Sequence, residues 1–92
     1  MEMFEIMKGR LPEGLEVVKV YQRTGSDQMK IVFSYKGHEA IGWLRKTCVP
    51  GGAERNCDFT ICVVMTGIAL EQGDMEACKF WVAKQQALFR QD

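Results

Sequence analysis

The 92-residue chain has only two prolines and one histidine, and its charges cancel to a formal net of zero. Its longest apolar run, Ile61 to Met65, is about a quarter of the roughly 20 residues that a membrane helix requires. A spanning helix is therefore not expected. The opening Met1-Glu2-Met3-Phe4-Glu5-Ile6-Met7-Lys8 carries acids where a signal peptide needs a basic region, and no apolar stretch of the required length follows. These absences predict a cytoplasmic protein, in which Cys48, Cys57, Cys62 and Cys78 are reduced thiols. With no excess of either sign, a globally basic nucleic-acid binder and a globally acidic DNA mimic both lose ground.

Catalytic motifs are lacking too. The sole histidine, His38, is the only ordinary candidate to activate a cysteine nucleophile, but it sits at the exit of a tight turn with no cysteine nearby in sequence. The carboxylates are scattered rather than paired. The cysteine spacings, Cys48-x8-Cys57-x4-Cys62-x15-Cys78, include none of the close pairs that hold two thiolates on one zinc ion. Gly51-Gly52 lacks the lysine and downstream helix of a phosphate cradle. The expectation is a protein without metal, cofactor or chemistry of its own, acting stoichiometrically.

What is present is a globular composition, 47% hydrophobic and 26% charged, in a chain long enough for one small domain spanning residues 1–92. Leu11-Pro12-Glu13-Gly14 ends a short N-terminal helix. Leu15 to Arg23, Gln28 to Lys36 and a segment from His38 read as three strands, with turns at Thr24-Gly25-Ser26-Asp27 and Lys36-Gly37. Thr47 to Asn56 reads as a long loop. Asp58 to Thr66, dense in β-branched residues, favours a fourth strand over a helix running to Gln72 with Gly73 as its stop. If strands three and four pair, Cys48 and Cys57 approach each other and a disulfide becomes an option. Asp74 caps a C-terminal helix over Met75 to Arg90, with Cys78, Trp81, Val82, Gln85, Leu88 and Phe89 on one stripe. The predicted architecture is α+β: an antiparallel meander of three to four strands packed on a C-terminal helix.

The Lys36-Gly37 turn sets the register of its hairpin. Tyr35 opposes His38, Phe33 opposes Ala40, Ile31 opposes Gly42 and Met29 opposes Leu44, so large residues face small ones on one side. Ser34–Glu39, Val32–Ile41 and Lys30–Trp43 fall on the other. Both faces carry apolar side chains, and one helix covers only one of them. The second face is thus either open or covered by the N-terminal Met3, Phe4 and Met7.

Charge is segregated although it sums to zero. Lys19 to Lys46 holds Lys19, Arg23, Lys30, Lys36, Arg45 and Lys46 against Asp27 and Glu39, whereas Glu54 to Glu76 holds five acids against Arg55. The order helix, three strands, helix with a basic meander resembles a double-stranded RNA-binding domain over Leu15 to Lys46 and the last helix. That family grips phosphates with a Gly- and Lys-rich opening of its second helix, and here the opening is Gly73-Asp74-Met75-Glu76. The resemblance implies topology alone.

The surplus of aromatic and apolar residues beside cations points to a protein-binding module. Its expected contact residues are Trp43, Arg45, Lys46, Lys30, Lys36, Ile41 and Arg23. Read as a complete protein, the chain fits a small inhibitor or adaptor that blocks a larger protein or ribonucleoprotein complex sterically. Inhibitors of host defence carried by phages or mobile elements, such as anti-CRISPR or anti-restriction proteins, are one such class. A small nucleic-acid-binding or regulatory protein using the basic meander is the alternative.

Overall fold

The computed structural model describes residues 3–46 and 52–89. In chain order the elements are α1 (Met3–Lys8), β1 (Leu15–Gln22), β2 (Gln28–Tyr35), β3 (His38–Arg45), α2 (Ala53–Gln72) and α3 (Met75–Phe89). The three strands form one antiparallel sheet in the order β1-β2-β3. The fold is α+β, with the helices gathered on one side of the meander.

The β2–β3 hairpin has the register predicted from its turn, Tyr35 opposite His38 through Met29 opposite Leu44. Lys36 (φ 51°) and Gly37 (φ 86°) both have positive φ, the backbone of a two-residue turn whose twist matches that of its strands. The β1–β2 pairing shifts between Val17 and Lys19. Val17 and Val20 consequently align with Phe33 and Ile31 on the inner face, while Glu16, Lys19 and Tyr21 align with Ser34, Val32 and Lys30 on the outer one. The irregularity leaves Val18 exposed on an edge strand.

Asp58 to Thr66 is helical, not the fourth strand its β-branched residues suggest. As a strand it would put Ile61, Val63 and Met65 on one face and Cys62 and Val64 on the other, needing cover on both. As a helix it buries Cys57, Ile61, Val64, Met65, Ile68 and Ala69. Each large side chain buried contributes about 1.5–3 kcal/mol, against a helix-propensity cost of less than about 1 kcal/mol per β-branched residue. The last part of the expected 47–56 loop, from Ala53, belongs to this helix, and residues 47–51 lie outside the described residues. Asp58 is not its cap: α2 starts five residues earlier, beside Gly52. Its stop is the one anticipated. Gly73 turns left-handed (φ 71°), and the Gly73 and Asp74 N–H groups bond to Leu70 and Ala69 carbonyls. The Asp74 carboxylate then accepts from the Ala77 N–H at 3.1 Å, capping α3.

With α2 inserted between meander and α3, the helix order of a double-stranded RNA-binding domain does not hold. The core lies between the inner sheet face and α2, where Ile31, Phe33 and Leu44 meet Cys57, Ile61, Val64 and Ile68. Helix α1 packs against α2 and β3, with Met3 and Met7 buried in that same core. It does not cross to the second sheet face. Helix α3 packs along α2, burying Cys78 and leaving Trp81, Val82 and Leu88 half-buried.

Three polar contacts tie α2 to its neighbours, one to the segment after α1 and two to β3. Arg10, following α1, donates from Nε and Nη2 to both carboxylate oxygens of Asp58 at 2.6 and 2.7 Å. Thr60 Oγ1 donates to the Trp43 carbonyl at 2.9 Å, and His38 Nε2 meets Glu71 at 2.5 Å. Between the last two, Gly42 lets α2 approach the strand. A Cβ there would come within 2.7 Å of Val64 Cγ2 and 2.8 Å of a Phe33 ring carbon.

Gly42→Ala is therefore expected to cost about 1–3 kcal/mol or more through overpacking. Gly67→Ala, in the same helix–sheet unit but with nothing within 4 Å of the added carbon, should gain about 0.5–1 kcal/mol. Urea unfolding of the two variants reads both, and equal stabilities would refute the close approach.

Candidate docking surface on the open sheet face

The outer face is built as cross-strand rows. Pairing places Glu16–Ser34–Glu39 in one row, Lys19–Val32–Ile41 in the next and Tyr21–Lys30–Trp43 in the third, with Gln28–Arg45 beyond. No helix lies over these rows among the described residues. Trp43 is 56% exposed, Ile41 53% and Tyr21 46%. An apolar, aromatic patch of this kind on a small domain is the usual mark of a binding surface.

The patch is polarised along the strands. Its acids, Glu16 and Glu39, share the row nearest the β2–β3 turn. The cations gather toward the other end. Lys19 and Lys30 Nζ lie 4.9 and 5.3 Å from the centre of the Tyr21 ring, and Arg45 Nε lies 3.2 Å from Asp27 in the β1–β2 turn. On the helical side, Asp58 and Glu54 contact Arg10, and Glu71 contacts His38.

Of the contact residues expected from sequence, Trp43, Ile41, Lys30 and Arg45 come together on this face. Arg23 and Lys46 adjoin it at the β1–β2 turn end, where Lys46 Nζ donates to the Arg23 carbonyl at 2.9 Å. That bond gives Lys46 a part in shaping the turn. Lys36 stands apart: it lies at the opposite end of β2, with its ammonium over the Tyr35 ring at 5.2 Å. Lys19 and Tyr21 were not among the expected contact residues, because the sequence left open whether β1 turns Val18 and Val20 or Val17 and Tyr21 toward this face. The register shift in β1 decides which of its residues face outward, and nothing in the local sequence marks where that shift falls.

His38 leaves the tight turn as expected and pairs across the hairpin. It stands on the inner face opposite Tyr35 and reaches Glu71 of α2, linking strand to helix. Cys62 and Cys78 are buried, as expected for small apolar residues, and burial raises the Cys62 thiol above its ordinary range. The Cys48–Cys57 pairing lies outside the described residues. Buried Cys57 Sγ is 3.5 Å from the Met3 carbonyl, joining α2 to α1. Among the described residues, no group of three or more His, Cys, Asp or Glu is placed to hold a metal ion, and no helix is long and apolar enough to cross a membrane.

A cleft of about 530 Å³ on the helical side is lined by Arg10, Asp58, Ile61, Cys62, Trp81 and Lys84, among others. Its Arg10 and Asp58 neutralise each other through a paired ion bridge, and its remaining cation, Lys84, lies over the Phe80 and Trp81 rings at 5.0 and 5.3 Å. The outer sheet face is the stronger site. It defines the chain as a small sheet-and-helix domain with one unburied, aromatic and basic sheet surface. Comparison with known proteins adds no relative: no protein-family model, no curated protein and no solved structure matches the chain.

If Trp43 serves the surface rather than the core, Trp43→Ala should cost no more than about 1 kcal/mol of folding stability, whereas Phe33→Ala should cost about 3–5 kcal/mol. Thermal or urea unfolding decides, and a loss for Trp43 comparable to that for Phe33 would make it structural. The Cys62 thiol, buried and held protonated, should be alkylated at neutral pH far more slowly than a free thiol of the unfolded chain. Mass spectrometry after timed labelling in buffer and in denaturant checks this.

Proposed function

We propose that this protein is a non-enzymatic binding module that docks its outer sheet face on a larger protein or ribonucleoprotein complex and inhibits or adapts that complex by occupying its surface. The observation that carries the reading is the open row holding Trp43, with Ile41 beside it and Lys30, Lys19 and Arg45 around it. Aromatic anchors amid cations have the composition of interface hot spots. The Thr60 bond to the Trp43 carbonyl holds that strand residue to α2, so little ordering of the backbone is left to be done on binding. The cationic end would steer the face toward an acidic partner surface. An inhibitor of host defence acting by occlusion is one function such a module would serve.

Affinity capture from the source organism, with quantitative mass spectrometry, tests the reading. A partner held by the wild-type chain and by Leu70→Asp, but lost with Trp43→Ala and Ile41→Asp, is the expected result. A partner that is lost only with Leu70→Asp would move the site to the exposed side of α2. Against the identified partner, Lys30→Glu with Arg45→Glu should lower the association rate by roughly 10-fold or more at low salt and much less at high salt. Inhibition should saturate near a fixed molar ratio, and effect at far substoichiometric amounts would instead indicate turnover.

A further inference from the structure

Lys19 and Lys30 lie in adjacent rows on neighbouring strands, and both ammonium groups converge on the Tyr21 ring. Neither has a carboxylate partner among the described residues, and their two rows, Lys19–Val32–Ile41 and Tyr21–Lys30–Trp43, contain no acid. Two like charges drawn to one ring repel, and an anion seated near both relieves that repulsion. On the far side of Lys30, two strand spacings or about 10 Å from Tyr21, stands the half-exposed indole of Trp43. A doubly cationic spot beside an open aromatic surface, on a sheet with no groove walls, matches one ligand chemistry well. A phosphodiester supplies the anion, and the base attached to it supplies a flat ring to stack.

Resting on the reading of the outer face as the docking surface, we propose that its Tyr21–Lys30–Trp43 row, with Lys19, binds an unpaired nucleic-acid strand. One phosphate is held between Lys19 and Lys30, and a base stacks on Trp43. The partner complex would then be one that presents single-stranded RNA or DNA, and the face would take hold of that strand as part of docking. Duplexes are excluded by the same geometry, because their bases are already stacked on one another and a flat face offers no shape for either groove.

The test uses the full chain and a fluorescein-labelled 12-nucleotide oligouridylate, with oligothymidylate and a 12-base-pair RNA duplex as comparisons, read by anisotropy at about 50 mM salt. The single strands should bind, and the duplex at least about 10-fold more weakly. Trp43→Ala and Tyr21→Ala should each weaken binding by about 5- to 100-fold, with Trp43→Phe close to wild type. Lys30→Gln should lower the slope of log affinity against log salt by about 0.7. Circular dichroism confirms that each variant is folded, which is expected for half-exposed sites. Absence of binding at about 100 μM protein overturns the proposal, as does equal binding of duplex and single strand, or binding that ignores the Trp43 and Tyr21 substitutions. If oligonucleotides fail to bind while Trp43→Ala still releases a captured partner, the docking face stands as a protein-only interface and the strand site falls.

Discussion

The approach of α2 to β3 across Gly42 is the contact on which the rest of this structure depends. With no side chain at that position, Val64 and the Phe33 ring close the space between helix and sheet, and the helix comes near enough for Thr60 to reach the Trp43 carbonyl and Glu71 to reach His38. The long helix is thereby seated along the inner face of the meander. Helix α3 then packs against α2, and α1 fits against α2 and the β3 edge of the same layer.

Everything apolar on the inner face is satisfied by this single helical layer, and the outer face is left without one. A domain of this size has a thin core, and its sheet is only three strands wide. Leaving Trp43, Ile41 and Tyr21 in water forfeits burial that a fourth layer would have supplied. That forfeited burial is recovered when another molecule covers the face, which is the thermodynamic sense in which an open aromatic sheet surface points to binding.

Charge follows a similar division. The acids of α2 hold the chain to itself, through Arg10 on Asp58 and His38 on Glu71, while the cations of the meander other than Lys36 stand on or beside the outer face. A neutral chain thus presents a locally basic surface. Protein docking and capture of an unpaired strand make overlapping demands on that surface, since both use the Trp43 ring and the cations beside it. They separate on salt dependence and on whether a bare oligonucleotide suffices.

The meander, its hairpin register and the final helix were legible in the sequence because each rests on local rules: positive φ at Lys36-Gly37, turn residues at Thr24 to Asp27, an Asp74 cap and a three- and four-residue stripe. The hairpin register alone was enough to put Trp43, Ile41 and Lys30 on one face. Three things were decided only by tertiary structure. Asp58 to Thr66 became helical because a helix buries Ile61, Val64 and Ile68 against a sheet with one covered side, outweighing the β-branched preference of the segment. Tyr21 and Lys19 joined the site through a register shift in β1 that local sequence does not encode. Whether the second sheet face was core or surface hinged on where Met3 and Met7 would pack. Their burial against α2 and β3 left that face open, an outcome set by competition among apolar surfaces distant in the chain and therefore invisible to any reading of neighbouring residues.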